Sequence, residues 1–293
     1  MPATPYPIAI IGPGAVGLTL AARLAATLRV AVIARDASRA AALRAGVQVG
    51  AVLWHFDAHA AMHPTAAQWV LLCVKAADTE AACAIARAMQ PQGVLSLQNG
   101  LLDARVRAAC APVLGGQGIT TLGAYREPLV NGAARIVPAG EGEILVPSEF
   151  APVAALLASA GLHARVAPDI AQARLAKWLV NLAINPVTAA FRVRNGELAS
   201  PPLREIVEAL VHEAWPVLAA EGLALDLDAA RERVFQVVQA TAANRSSMLQ
   251  DVLAGRPTEL DALTGAFLAL ARAHGQATPT HEALYARLES SPR

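Results

Sequence analysis

Apolar and polar positions alternate between two periods along the first part of the chain. Ile8 to Ile11 is a short apolar run, GPGAVG turns the chain, and LTLAARLAA continues with helical spacing. The change recurs: VAVIAR (Val30 to Arg35) reads as a strand and SRAAALRAG (Ser38 to Gly46) as a helix. WVLLCVKAAD gives a third strand ending near Lys75, followed by a helix from Thr79 to Met89. Gly93 to Gln98 gives a fourth strand, stopped by Asn99-Gly100. Apolar strands separated by helices predict a mostly parallel sheet covered on both faces.

After Gly116 the texture changes. GITTLGAYREPLVNGAARIVPAGEGEILV places turn signals at Glu127-Pro128, Asn131-Gly132 and Gly140 to Gly142 between short extended pieces. This predicts a small β-rich extension, antiparallel in pairing. PSEFAPVAALLASAG is a further helix, with Ser148 a candidate cap and Pro152 near its first turn. From Ala171 onward the spacing is helical, with breaks near Ser200 to Pro202, Leu223 to Asp228 and Gly255 to Thr258. Asp226 and Asp228 read as helix-start residues. The boundary between an α/β domain (residues 1–169) and an all-α domain (residues 170–293) is expected near Pro168 to Ala171.

Composition narrows the function classes. Hydrophobic residues make up 55% of the chain, charged residues 16%, and the formal net charge is +1. Such a chain is neither disordered nor a dedicated nucleic-acid binder, which needs a basic surplus. Cys73, Cys83 and Cys110 are an odd set without metal-ligand spacing, which points to a reducing compartment. The histidines are scattered without a metal triad, so no metal is expected. The first apolar run is broken by glycines and a proline, unlike a signal peptide or spanning helix; a soluble, cytoplasmic protein is expected.

Gly12, Gly14 and Gly17 form G-x-G-x-x-G at a strand-to-helix junction, with Pro13, Ala15 and Val16 between them. The pattern supplies a tight turn, a close approach for a pyrophosphate and close helix–sheet packing, with free helix amides facing the phosphates. The reading is a dinucleotide site on a Rossmann-type sheet. Arg35 and Asp36 follow the second strand. Arg35 can pair with a 2′-phosphate, which favours NADPH/NADP+, whereas Asp36 lies one place late for an NAD ribose contact. The alternative is that both residues merely open a solvated turn. Lys75 and Asn99 end strands on the ligand-binding side of such a sheet, although Asn99-Gly100 is also an ordinary turn dipeptide.

In the helical half, KWLVNLAINP places Lys177, Asn181 and Asn185 four residues apart, a polar stripe on an otherwise apolar helix. A buried unpaired ammonium is expensive, so Lys177 faces either solvent or a polar site. A second polar cluster runs from Asn244 to Asp261, in which Asn244, Ser247 and Asp251 are spaced for one helical face. Thr258 can cap the following helix with Asp261 as its capping-box partner, which leaves Glu259 without a structural task.

These pieces together resemble the ketopantoate reductase (2-dehydropantoate 2-reductase) family. The resemblance rests on GPGAVG, Lys75, Gln98-Asn99-Gly100, KWLVNLAINPVTA, SSMLQDVLAGRPTELD and GQATP, in order along nearly the whole chain. It implies an N-terminal Rossmann-type domain, a helical C-terminal domain and an active site between them. It also implies NADPH-dependent reduction of 2-dehydropantoate to (R)-pantoate, on the route to pantothenate and coenzyme A. By that resemblance Lys177 is the catalytic proton donor to the ketone, and Glu259 holds the substrate hydroxyl. Asn181, Asn185, Ser247 and Asn244 orient the substrate. Gly12 to Gly17, Arg35, Lys75 and Asn99 hold the cofactor. The chain departs from the family at VPAGEGE, where Pro138 stands near a frequent histidine, and at FRVRNGEL in place of a Cys-x-x-Gly-Glu-Leu pattern. Another small 2-oxo acid as substrate, and a non-catalytic NADP(H)-binding regulator, stay open as alternatives. A homodimer through the alanine-rich helical domain is also compatible with the sequence.

Overall fold

The computed structural model describes residues 4–128 and 134–290. The chain divides into two compact units: Met1–Gln98 with Leu102–Ile170, and Asn99–Leu101 with Ala171–Arg293. The short segment Asn99–Leu101 thus groups with the helical residues although it follows a strand of the α/β unit.

In the α/β unit, β1 (Tyr6–Ile11), α1 (Ala15–Ala25), β2 (Val30–Ala34) and α2 (Ala37–Ala45) follow in order. A short hairpin, β3 (Val47–Val49) and β4 (Val52–Trp54), then precedes β5 (Asp57–Ala60) and β6 (Ala67–Leu72). Next come α3 (Thr79–Ala88), β7 (Gly93–Ser96), α4 (Asp103–Cys110) and β8 (Leu114–Gln117). The six-stranded sheet has order β5-β2-β1-β6-β7-β8, with every pairing parallel. Counted along the chain, its strands lie 3-2-1-4-5-6, the doubly wound order whose ligand crevice opens at the carboxyl end of β1. Ile8, Ile10, Val32, Leu71 and Leu95 of these strands share one buried cluster with Leu18, Leu20 and Leu24 of α1. Each such side chain stabilises the unit by roughly 1.5–3 kcal/mol relative to exposure.

The β-rich extension is mixed rather than purely antiparallel. Beyond β9 (Ile119–Thr120), the strands β10 (Ala124–Pro128) and β11 (Ala134–Pro138) pair antiparallel. They join the β3–β4 hairpin through a parallel β11–β3 contact, in the order β10-β11-β3-β4. A third sheet sets β12 (Glu143–Val146) between β9, antiparallel, and β13 (His163–Val166), parallel. The expected Asn131-Gly132 turn lies outside the described residues. Ser148 opens a single 3₁₀ turn, and its hydroxyl bonds Glu149 rather than capping α5 (Ala151–Ser159), which has a proline in its first turn.

The helical unit runs from α6 (Ile170–Phe191) through α7 (Leu203–Ala220), α8 (Leu227–Ala240) and α9 (Ser247–Leu253). A π turn over Asp261–Gly265 leads into α10 (Ala266–Ala273), and α11 (Pro279–Glu289) follows. Asp226 caps α8, accepting from the Ala229 amide at 2.8 Å. α6 is largely core: Leu175, Trp178, Leu179, Leu182 and Ile184 are buried on it. It continues through Pro186 and ends where Arg192 adopts a left-handed φ of +56°. Among the described residues, no helix is long and apolar enough to cross a membrane.

Candidate active site

The glycine loop joins β1 to α1. Gly12 has φ +101°, and a Cβ there would stand 2.6 Å from the Cys73 carbonyl carbon. A Cβ on Gly17 would stand 2.2 Å from the Gly12 oxygen. Gly14 differs: nothing lies within 4 Å of the position its Cβ would take. No side chain caps α1, whose N-cap is Gly14. Uncapped amides, the positive helix end and open space at Gly14 fit a pyrophosphate. Pro13, Ala15 and Val16 lie in this turn.

Around the loop stand the other residues expected at a cofactor. Arg35 follows β2 with its side chain 90% exposed, bonded through Nε to Asp36 at 3.0 Å. Asp36 is occupied as the α2 N-cap, accepting from the Arg39 amide at 2.7 Å, and that bond holds its carboxyl below the usual range. The capping task accounts for Asp36 without a ribose contact. Lys75 is half-buried just beyond β6. Its carbonyl accepts from Gln98 Nε2 at 3.1 Å. The buried Gln98 also bonds Ser96 and Thr79. Gln117 accepts from the Leu102 amide at 2.9 Å and donates to the Gln98 carbonyl at 3.1 Å, so it pins both flanks of Asn99–Leu101. Sequence reading assigned Gln98 and Gln117 no such task; the sole signal is two glutamines at strand ends within apolar surroundings.

In the helical unit, Lys177 Nζ donates to Asn99 Oδ1 at 2.9 Å, and Asn99 Nδ2 donates to Glu259 Oε2 at 3.0 Å. The chain runs from amine to carboxamide to carboxylate across residues far apart in sequence. Lys177 is half-buried. Burial pushes the amine down to about 8, and the negative charge of Glu259 works in the opposite direction. The amine's hydrogen bond thus goes to Asn99 rather than to either asparagine of the α6 stripe. Gly100, at φ +84°, lets the turn approach Ala262, whose carbonyl would lie 3.0 Å from a Cβ at that position.

Asn181 sits one turn beyond Lys177, its Nδ2 buried without a hydrogen-bond partner; Asn185, a turn further, is buried. Thr188 donates to Ser246 Oγ at 2.7 Å, and Ser246 caps α9 by accepting from Leu249 N at 3.1 Å. This bond holds the start of α9, where Ser247 is exposed, against the far part of α6. Asn244 lies before α9 and does not share its helical face, because the helix opens only after the Ser246 cap. The exposed Asn244 accepts through its carbonyl from the Asn195 amide at 3.0 Å. Asp251 turns inward and pairs with Arg256 at 3.1 Å. The Thr258–Asp261 capping box does not form: Asp261 accepts from the Tyr285 hydroxyl at 2.6 Å, while Thr258 accepts from the Leu260 amide at 3.3 Å. Among the described residues, no group of three His, Cys, Asp or Glu could hold a metal ion.

A doubly wound unit with an uncapped glycine loop, joined to a helical unit that carries a tuned lysine, defines an oxidoreductase of the Rossmann-type nucleotide-binding class. The chain belongs to the ketopantoate reductase family: the model "Ketopantoate reductase PanE/ApbA" matches residues 8–148, and its C-terminal counterpart matches residues 169–290. The 2-dehydropantoate 2-reductase of Archaeoglobus fulgidus is 35% identical over 271 residues, 89% of each chain. That of Vibrio cholerae is 45% identical over 123 residues, a match spanning 42% of each chain. The fold is similar to that of D-mandelate dehydrogenase solved with NADH and anilino(oxo)acetate, at a TM-score of 0.86, 21% identity and 97% of each chain covered.

Proposed function

We propose that this chain reduces 2-dehydropantoate to (R)-pantoate with NADPH, with Lys177 as the proton donor. The observation that carries the reading is the hydrogen-bonded chain of Lys177, Asn99 and Glu259, with the amine at about 8. When bound, the reduced nicotinamide supplies the hydride that reaches the carbonyl carbon. The developing charge on the ketone oxygen needs a donor close by, and an ammonium that is still protonated near neutrality meets that need. Lys177 gives its proton to the new alkoxide and recovers one from water. Asn99 orients the amine without neutralising it, and Glu259 supports its protonated form. Asn181, Asn185, Asn244 and Ser247 supply uncharged donors and acceptors for the carboxylate and hydroxyl of the substrate. Glu259 is the residue that selects the hydroxyl, since a site built around that group rejects analogues lacking it. Gly12 to Gly17 hold the pyrophosphate, Arg35 reads the 2′-phosphate, and Lys75 and Asn99 are further cofactor contacts.

The test is NADPH consumption across a panel of branched 2-oxo acids, with and without a terminal hydroxyl. Preference for 2-dehydropantoate over its deoxy analogue, abolished in Glu259→Ala, is the expected outcome. Equal use of both by the unaltered protein would replace 2-dehydropantoate with another small 2-oxo acid.

A further inference from the structure

The β-rich extension carries an arginine where its pairing calls for an apolar side chain. In the β10–β11 register Arg126 stands opposite Ile136, and directly opposed residues of an antiparallel pair share a face. Ile136 is buried at 1% exposure and belongs to the core cluster that includes helix α1, and Ala124, two residues before Arg126, packs against the same cluster. The neighbouring Glu127 takes the other face, opposite Arg135, with which it forms an ion pair at 2.5 Å. Arg126 therefore emerges from the face of the hairpin that covers α1, and its guanidinium Nη2 donates to the Pro13 carbonyl of the glycine loop at 3.5 Å. The adjoining end of α1 offers uncapped amides and the open space at Gly14, which is where a pyrophosphate rests on such a loop.

We propose that Arg126 is a pyrophosphate-binding residue, a strap from the extension that closes over the dinucleotide from the side opposite the α1 amides. The proposal rests on the dinucleotide reading of the glycine loop and adds a contact that the glycine pattern does not contain. A planar guanidinium can meet two phosphate oxygens at once, whereas an ammonium acts as a point charge. The contact serves the phosphates common to NADPH and NADH, and is separate from the 2′-phosphate assigned to Arg35.

Calorimetric titration of the full chain with NADPH, NADH and adenosine 2′-monophosphate tests this. Arg126→Gln is expected to weaken NADPH and NADH by the same factor, about tenfold or more, while adenosine 2′-monophosphate, which lacks the pyrophosphate, binds as before. Arg126→Lys should recover part of the loss. Arg35→Gln is expected to show the complementary pattern, with NADPH and the monophosphate weakened and NADH spared. The proposal is overturned if Arg126→Gln, folded as judged by its Tm, binds NADPH within twofold of the unaltered protein. It is equally overturned if the loss extends to the monophosphate. If the unaltered protein binds neither dinucleotide, the glycine-loop reading itself fails and Arg126 falls with it.

Discussion

The two units build their candidate functional surfaces from different materials. The α/β unit offers backbone: a glycine turn, uncapped helix amides and open space at Gly14, with arginines at the margin. The helical unit offers side chains whose charge is set by burial, with Lys177 pushed down to about 8 and joined to Glu259 through Asn99. A backbone surface depends on strand order and on the absence of a few Cβ atoms, and it does not titrate. A side-chain surface depends on single groups and carries the pH dependence.

The largest expected effect tests the side-chain half of this contrast. Lys177→Ala should lower turnover by roughly 10²–10⁴-fold while leaving NADPH affinity unchanged, measured by steady-state kinetics beside calorimetry. Near-normal turnover would remove Lys177 from the chemistry, and a matching loss of NADPH affinity would erase the division of labour. The amine is protonated below its pKa, so turnover in the unaltered protein should fall as pH rises through about 8. Glu259→Gln, which removes the charge supporting the ammonium, should shift that limb to lower pH.

Next comes the backbone half. Gly17→Ala places a methyl 2.2 Å from the Gly12 carbonyl and should destabilise the protein by about 2–3 kcal/mol or more, read as a lowered midpoint of denaturation. Gly14→Ala meets nothing within 4 Å, so stability should hold within about 0.5 kcal/mol while NADPH binding weakens. Equal NADPH affinity in Gly14→Ala would show that this backbone is not the ligand surface.

The smallest effect concerns the stability of the helical unit. Glu213 accepts from the Thr280 amide at 2.8 Å, the His281 amide at 3.1 Å and His281 Nδ1 at 2.8 Å. Despite opposing desolvation, these bonds hold its carboxyl at about 2, while burial lowers His281. In both cases the unfolded chain binds more protons, so stability rises with pH. It should begin to fall as pH drops below the ordinary histidine range, and fall further between about 4.5 and 2. Glu213→Gln should cost about 1–2 kcal/mol near neutrality and flatten the acid part of the Tm–pH curve. An unchanged acid limb would place the acid sensitivity elsewhere.

Much of this was legible because it is local. Apolar strand runs, the glycine loop and the α6 stripe announce themselves within about ten residues. The β3–β4 hairpin did not, since its strands span three residues each and leave Val52 and Leu53 exposed. Strand β8 hides in Leu-Gly-Gly-Gln, a poor strand sequence whose glycines make room for α4 and Phe150. The stripe gave Lys177 its face but not its partner. Asn99 lies 78 residues earlier, and such a bond leaves no periodic trace. At Asp261 a favourable local cap lost to a tyrosine 24 residues away, and at Asn244 a helix face was extended past the serine that ends it.

The carboxamide of Asn99 has a donor end and an acceptor end, so the bonds through it have a direction that cannot be reversed without turning the group over. Lys177 and Glu259 sense each other across it, yet among the described residues Lys177 makes no contact ion pair. Asn99 acts as an insulating spacer: it passes on the influence of a negative charge while keeping the two ions from collapsing together. An aspartate at this position would keep the shape and change the pairing. It would clamp the ammonium directly, and it would face Glu259 with two acceptors and no proton between them unless one were taken from solvent. A neutral, two-ended side chain thus orients the lysine while leaving it, among the described residues, without a contact ion pair.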